Sequence, residues 1–232
     1  MISKVSEYLK KNYLYILAVA VFILITVFAV IYEQSFIRLL PIYASIIIRM
    51  LHSRANRYGY LFGGVNQILY GLTYLYYNLY SSMLYAFLIS FPIQIITFIA
   101  WTRKSYKCST RFRALSVRGR LAVLAIGIAA YAVYTMVMLK IEPNANQPLV
   151  DCASFILGIA CSALTILSFI EYTYLSIVYN LLSLTLYVLV AITSPEMLTY
   201  VVFGIYAVTC AIMQFLSVKK IYAEQTGNHT EI

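Results

Sequence analysis

The sequence predicts an all-α integral membrane protein with eight transmembrane helices: one extra amino-terminal helix, then a core of two three-helix units joined by a linker helix. Three observations predict this fold: the apolar composition, the length of the apolar segments and the positions of the basic residues. The chain has 232 residues, of which 62% are apolar and 11% are charged, and its mean hydropathy is +0.83. Soluble domains carry about a quarter charged residues. A chain of this composition must therefore face lipid over much of its surface.

The apolar segments are long enough to cross a bilayer as helices. A spanning helix needs about 20 mostly apolar residues, and its backbone groups must pair within the segment. The second segment is the least regular, because Arg38, Pro41 and Arg49 interrupt it. The eight segments are 13–32, 36–51, 58–76, 79–101, 121–139, 149–169, 172–192 and 197–218.

The basic residues assign an orientation to these helices. With a cytoplasmic amino terminus, every Lys and Arg except Arg38 and Lys140 falls in a cytoplasmic loop or terminus or, like Arg49, at the cytoplasmic end of a segment. This distribution follows the positive-inside rule, and one helix more or fewer would scatter the charges across both faces. We therefore predict that both termini are cytoplasmic. Topology then explains the net charge of +9, in preference to binding of nucleic acid or of a specific lipid.

An internal repeat divides the chain. The stretch YLFGGVN (60–66) aligns without a gap with YLSIVYN (174–180), and a small shift brings Gln94 onto Gln214. One linking helix gives both units the same orientation, as in transporters with parallel repeats, whose substrate site lies between the halves. The predicted divisions are the extra helix (1–33), the first bundle (34–101), a basic cytoplasmic loop (102–120), the linker helix (121–140), the second bundle (148–220) and a polar tail (221–232).

The middle helix of each unit has a polar and aromatic stripe centred on an asparagine. The stripes follow the helical period: Asn66, Tyr70, Thr73 and Tyr77 in one unit, and Thr173, Ser176, Asn180, Ser183 and Tyr187 in the other. The candidate solute-binding residues are Asn66 and Asn180 as hydrogen-bonding centres, Tyr70, Tyr74 and Tyr187 as stacking faces, Gln94 and Gln214 as secondary donors, and Thr173 and Ser176 on the second stripe.

These polar groups must face the inside of the bundle, because an unpaired carboxamide in hydrocarbon costs several kcal/mol. Either another helix or a bound solute satisfies them. Contacts between helices explain any single Ser or Thr, whereas the matched pair Asn66 and Asn180 favours a solute site. Amides, hydroxyls and aromatic faces suit a small heteroaromatic solute, including a cation held by stacking and cation–π contacts.

The ionisable residues bear on the mechanism. Apart from Arg38 and Arg49, no ionisable side chain lies well inside a predicted helix. Proton-driven carriers usually keep an acidic or histidine side chain in mid-membrane, so the pattern favours facilitated diffusion. The two arginines either extend towards opposite interfaces or line the path of the solute.

Catalytic and metal-binding patterns are absent from the sequence. It contains no nucleotide-binding, zinc-protease or serine-hydrolase motif. The four cysteines form no pattern typical of metal ligands. We therefore expect no enzymatic activity, no cofactor and no metal.

A longer motif of the first unit reads YLFGGVNQILYG…YYNLYSSMLYAFLISFPIQIITFIAW, from residue 60 to residue 101. It resembles the PnuC family of bacterial vitamin transporters over roughly residues 34–220. The matching elements are the pair Gly63–Gly64, Asn66, the pair Tyr70–Gly71, the turn Asn78-Leu79-Tyr80, Gln94 and Trp101.

The resemblance implies vitamin uptake by facilitated diffusion across the bacterial cytoplasmic (inner) membrane, made one-way by a cytoplasmic vitamin kinase. It also implies homotrimers embedded in membrane lipid, no nucleic-acid partner, and a fold like that of SWEET sugar transporters. Family members that carry nicotinamide riboside show a WxxWxxxN/D pattern, which reads Thr173, Ser176 and Asn180 here. The loss of both tryptophans favours thiamine over nicotinamide riboside, riboflavin or deoxynucleosides. The competing class is a non-transporting membrane sensor or scaffold.

Overall fold

The computed structural model describes residues 2–141 and 147–227, with side chains from residue 12 onward except residue 37. This part of the chain forms α-helices joined by short loops, with one small hairpin. The helices are α1 (Ile2–Ile31), α2 (Phe36–Ser53), α3 (Tyr58–Tyr76), α4 (Tyr80–Leu84), α5 (Phe91–Arg103), α6 (Val117–Ile141), α7 (Pro148–Ile166), α8 (Tyr172–Ala191) and α9 (Leu198–Thr226). A π-helical turn (Tyr85–Ser90) joins α4 to α5, a 3₁₀ turn (Pro195–Met197) precedes α9, and strands β1 (Ser105–Tyr106) and β2 (Ser109–Thr110) pair antiparallel.

The prediction of an all-helical membrane fold is confirmed. In the described residues, six helical spans are long and apolar enough to cross a membrane: 12–31, 80–103, 117–141, 148–166, 172–191 and 195–226. Two further helices, α2 and α3, are not among the six. Arginines interrupt α2, and α3 carries two adjacent carboxamides, Asn66 and Gln67, and several tyrosines. These two helices therefore carry much of the polar chemistry of the bundle.

The helices form two packed groups that meet around a common centre. Helices α2, α3 and α5 pack together on one side, and α7, α8 and α9 pack together on the other. The groups touch where α2 meets α9 and where α4 and α5 meet α7. Helix α1 packs outside on α9 and α2, and α6 packs outside on α7. The polar faces of α2, α3 and α8 are thereby turned towards the centre.

Several helices extend past the apolar segments that predicted them. Helix α1 begins at Ile2, α6 begins at Val117, and α9 continues to Thr226. Hydropathy marks the residues that face lipid, whereas the helical hydrogen bonds continue through flanking polar residues. The first residues of the predicted polar tail are therefore helical, and residues 228–232 of that tail lie outside the described residues.

The π-helical turn accommodates a proline inside the fourth apolar segment. Pro92 has no N–H and its ring would clash with a carbonyl one turn earlier in a regular α-helix. The wider turn just before it places Tyr85 against α7, where its hydroxyl contacts Gly158 O at 3.2 Å and Ser162 Oγ at 2.9 Å. A Cβ at Gly158 would lie 2.7 Å from the tyrosine ring, so this close approach requires glycine.

The loops divide between two ends of the bundle. The basic end carries residues 54–57, 104–116 and 167–171 and the end of α9; the opposite end carries residues 32–35, 77–79 and 192–197. At the basic end, Arg113 forms a parallel bridge with Phe169. Gln225 accepts from the Phe112 N–H at 2.8 Å and donates to Thr110 O at 2.9 Å. The basic loop is thus attached to both the α7–α8 loop and α9.

At the opposite end, a buried carboxylate joins the two groups of helices. Asp151, in the first turn of α7, accepts the backbone N–H groups of Ser81 and Ser82 at 2.9 and 3.1 Å, and also the Ser82 hydroxyl. These N–H groups belong to the first turn of α4 and have no partner within their own helix. Asp151 therefore caps α4 from a different part of the chain.

Candidate solute-binding site

A cavity of about 130 Å³ lies at the centre of the bundle, in the half nearer the basic end. We call it the main cavity for its place between the two groups of helices and not for its volume. Helices α2, α3, α5, α7, α8 and α9 and the π-helical turn all contribute side chains to its wall. Five of the predicted site residues line it: Asn66, Tyr70, Gln94, Ser176 and Gln214.

A small cavity of about 40 Å³ lies towards the opposite end. It contains the other predicted residues Tyr74, Asn180 and Tyr187, together with Tyr70. Four residues line both cavities: Arg49, Gln67, Tyr70 and Tyr179. Thr173 lines neither, because its hydroxyl turns back to Ile170 O at 2.8 Å in the first turn of α8.

Asn66 combines a contact between helices with a free acceptor. Its Nδ2 donates to Pro41 O at 2.9 Å and to Ser45 Oγ at 2.8 Å, both on α2. Its Oδ1 is buried and has no hydrogen-bond partner in the described part of the protein. An unpaired buried acceptor costs about 1–3 kcal/mol. A donor on a solute in the main cavity would satisfy it.

Gln94 likewise combines a hydrogen bond within the protein with a free acceptor. Its Nε2 donates to Ser90 Oγ at 3.0 Å, while its Oε1 is buried without a partner among the described residues. The carboxamide oxygen lies in the space that a Cβ would occupy at Gly63. The glycine of α3 therefore determines where the Gln94 side chain sits.

The carboxamides of the second half make bonds within the protein. Asn180 Nδ2 donates to Ser176 O at 2.6 Å, one turn earlier on α8. Gln214 Nε2 donates to Tyr172 OH at 3.3 Å. The unpaired acceptors that we find in the main cavity thus come from the first half of the chain.

A cluster of tyrosines closes the bundle on the side of the small cavity. Tyr74 OH and Tyr187 OH lie 3.0 Å apart, which joins α3 to α8. The ring of Tyr200 packs against Tyr70, Tyr77 and Tyr187, with centroid distances of 6.5, 6.2 and 5.6 Å. We call Tyr70, Tyr74, Tyr77, Tyr187 and Tyr200 the tyrosine cluster.

A second aromatic cluster lies at the basic end, beyond the main cavity. The fully buried Trp101 packs against Tyr60, Phe112 and Tyr172 at centroid distances of 4.7, 5.5 and 6.3 Å. Its Nε1 donates to Thr165 O at 3.0 Å. We call these four aromatic residues the tryptophan cluster. The two cavities lie between it and the tyrosine cluster.

The two arginines of α2 have different surroundings. Arg38 lies near the opposite end, with its guanidinium 3.8 Å from the centre of the Tyr76 ring, and it lines neither cavity. Arg49 lines both cavities. The sequence left open whether these residues extend to the interfaces or line the path. In the structure, Arg38 lies near the opposite end of the bundle and Arg49 lines the cavities.

Several cavity residues were absent from the predicted site: Arg49, His52, Tyr60, Tyr85, Tyr172 and Tyr179. Arg49 and His52 share a face of α2 with Ser45, a pattern that can be read in the sequence. Tyr60 and Tyr172 lie near helix ends, where an aromatic belt explains them equally well. For Tyr85, no sequence signal marks the π-helical turn that directs it inward.

Within residues 2–141 and 147–227, no group of three His, Cys, Asp or Glu side chains is placed to hold a metal ion.

Residues 35–216 match the family model described as nicotinamide mononucleotide transporter. The chain belongs to this family. The resemblance to PnuC proteins is thereby confirmed, and the family is one of membrane transporters, not of enzymes.

One member of this transporter family is similar to the chain in sequence, and one solved structure is similar to it in fold. The nicotinamide riboside transporter PnuC of Neisseria mucosa is 28% identical over 134 residues, which are 55% of this chain and 50% of that protein. The chain thus matches about half the length of this curated relative. A crystal structure of the vitamin B3 transporter PnuC superposes with a TM-score of 0.78 at 19% identity, over 92% of this chain and 93% of that one. At that identity, the likeness establishes the transporter fold.

Proposed function

We propose that the chain transports a small heteroaromatic vitamin across the membrane by facilitated diffusion, with the solute bound in the main and small cavities. One observation carries the proposal. The buried acceptors Asn66 Oδ1 and Gln94 Oε1 have no partner in the described protein, and both residues line a cavity between two groups of helices. No carboxylate of the described residues lines either cavity, and His52, which lines the main cavity, lies in the last turn of α2 and not in mid-membrane. Both facts support facilitated diffusion over proton coupling.

Nicotinamide riboside is the first candidate solute, because the matched relative in Neisseria mucosa is named for it. Its ring would stack between tyrosines, and its hydroxyl and amide groups would donate to Asn66 and Gln94. Thiamine is the second candidate. Thr173 and Ser176 stand where tryptophans mark nicotinamide riboside carriers, and this difference is what favours thiamine.

The proposal extends to the arrangement in the membrane. We place α2–α5 and α7–α9 as two parallel three-helix units of a SWEET-like core, with α6 as the linker and α1 as the extra helix, which makes eight spans. The packing of α2, α3 and α5 in one group and α7, α8 and α9 in another supports this division. Both termini lie in the cytoplasm of a bacterium, the chain forms homotrimers in the inner membrane, and a cytoplasmic vitamin kinase makes uptake one-way.

Thermal stabilisation of the detergent-purified protein tests the proposal. The melting temperature is measured with thiamine, nicotinamide riboside, riboflavin and thymidine, for the wild type and for Asn180→Ala and Gln94→Met. A solute at 100 times its dissociation constant stabilises by about 2.7 kcal/mol. We expect one solute to raise the wild-type melting temperature, with a smaller rise in both variants. Thr209→Val, half-buried and outside both cavities, is the control and should respond like the wild type.

Uptake into proteoliposomes completes the test. Facilitated diffusion predicts that intact solute enters down its own gradient and that a proton gradient changes neither its rate nor its final level. A flat response to all four solutes would contradict the proposal. The polar stripes would then be contacts between the helices of a sensor or scaffold.

A further inference from the structure

Arg49 occupies a central position among the core helices. It is half-buried, and it lines both the main and the small cavity. Residues of the surrounding elements line the same two cavities: Tyr70 on α3, Tyr85 on the π-helical turn, Cys161 on α7, Tyr187 on α8 and Gln214 on α9. Arg49 therefore shares these cavities with residues of both groups of helices.

Arg49 has no counter-charge in the described part of the chain. The ion pairs there, Lys107–Glu224 and Arg120–Glu171, do not include it. The buried carboxylate of Asp151 is bound to the first turn of α4. A half-buried cation gains from a partner that compensates its charge. A negatively charged or strongly accepting group of a bound solute would be such a partner for Arg49.

Two further free groups of the main cavity have the opposite polarity, whereas the unpaired hydroxyls of Tyr60 and Tyr70 can either donate or accept. Asn66 Oδ1 and Gln94 Oε1 accept hydrogen bonds, whereas the guanidinium can only donate them. A solute complementary to this arrangement has N–H or O–H donors for the two carboxamides and an oxygen acceptor for the arginine. Carboxylates are well suited to the second role, because a guanidinium binds them through two parallel hydrogen bonds.

We propose that Arg49 binds an accepting oxygen of the solute, and that the site therefore prefers a carboxylate to a neutral carbonyl at that position and a neutral carbonyl to no such group. This inference rests on the proposed function, since it specifies the class of vitamin that the same cavities bind. It ranks the carboxylate analogue of nicotinamide riboside, nicotinic acid riboside, above nicotinamide riboside, and it ranks thiamine below both.

Binding of this matched pair of nucleosides tests the inference. The two solutes differ only in a carboxylate against a carboxamide, so their affinities report the charge at one position. Dissociation constants are measured by calorimetry on the full-length protein in detergent. We expect the wild type to bind the carboxylate form more tightly by at least about tenfold, as for other charge-assisted contacts. Arg49→Gln should lose this preference, and Arg49→Lys should keep part of it.

Arg38→Gln is the matched control. It removes an arginine from the same helix, but from a position that stacks on Tyr76 outside both cavities. It should keep the wild-type preference. Equal binding of the two nucleosides by the wild type, or a preference unchanged in Arg49→Gln, would overturn the inference and leave the proposed transport intact. Failure of the wild type to bind any of the vitamins or nucleosides would overturn both.

Discussion

At the scale of single residues, Gly63 determines the position of a solute-binding group without touching the solute itself. The carboxamide oxygen of Gln94 fills the space above its Cα. Gly63→Ala puts a methyl group there, and the flexible end of Gln94 must move. We expect solute binding to weaken by about tenfold, because the displaced carboxamide no longer meets its partner. The dissociation constant and the melting temperature are the two measurements.

Gly127→Ala provides the matched control for this substitution. A Cβ at Gly127, on α6, meets no atom within 4 Å, so the change adds a methyl group in open space. In a helix it should leave stability unchanged or raise it by roughly 0.5–1 kcal/mol. Wild-type affinity in Gly63→Ala would contradict the role assigned to the glycine.

Part of the site can be predicted at this scale. Asn66, Tyr70 and Asn180 follow from periodicity, because each lies on a polar stripe of a helix that is otherwise apolar. Gln94 follows from the repeat. The repeat does not predict that the Gln94 side-chain oxygen lacks a hydrogen-bond partner, because the position of that oxygen depends on Gly63, which is distant in sequence. Arg49 is visible in the sequence, but its position relative to helix ends allows it to extend towards an interface as easily as into a cavity.

At the scale of elements, the π-helical turn sets the rotation of α5 relative to α4. Deleting the exposed Leu88 would restore a regular α-helical turn and rotate one side of the joint by about 100°. Gln94 and Trp101 would then leave their present positions. We expect the deletion to abolish solute binding and to lower the melting temperature. Leu88→Ala, which keeps the residue count, should behave like the wild type, and a fully active deletion variant would contradict this role.

The cap of α4 leads to a separate prediction. In Asp151→Asn, the amide keeps one accepting oxygen but presents an NH₂ group to a backbone N–H of Ser81 or Ser82. Loss of a charge-assisted hydrogen bond in a buried site should destabilise the protein by about 1–3 kcal/mol. Thermal unfolding in detergent measures the loss. Glu33→Gln, in an exposed loop, is the control and should unfold at the wild-type temperature.

Hydropathy predicts most helices of this protein but neither of these two features. It identifies apolar runs, because lipid selects them along the whole length of a span. Pro92 predicts an irregularity in the fourth segment, but it does not predict that this irregularity is a π-helical turn. The contact of Asp151 with Ser81 joins residues far apart in sequence, so no local pattern encodes it.

At the scale of the whole molecule, the tyrosine cluster joins the two groups of helices. The hydroxyl contact of Tyr74 with Tyr187 crosses from α3 to α8. A double-mutant cycle with Tyr74→Phe and Tyr187→Phe should give a coupling free energy of about 1 kcal/mol in thermal unfolding. The pair Tyr74→Phe and Tyr58→Phe should be additive, because Tyr58 is exposed at the other end of α3. Equal coupling in both pairs would contradict a direct contact.

The overall architecture is predictable only in part. Composition and segment length predict the membrane fold, and the repeated motif suggests which helices correspond. The meeting of α2 with α9 and of α5 with α7 depends on side chains that fit together across the centre, such as Tyr206, whose hydroxyl donates to Ile46 O at 3.0 Å. Such contacts join distant parts of the chain, and one sequence does not reveal them.

The unpaired acceptors of Asn66 and Gln94 have a consequence for engineering. Each costs about 1–3 kcal/mol in the empty protein. At Asn66 the loss of two interhelical hydrogen bonds offsets the gain from an apolar substitution, whereas at Gln94, with one bond to Ser90, an apolar residue of similar shape should raise stability in the absence of solute. Selection of heat-resistant variants in detergent would therefore accumulate substitutions at Gln94 and discard transport activity. In a screen that measures only resistance to heating, the stabilised variants that no longer transport solute would thus identify residues of the binding site.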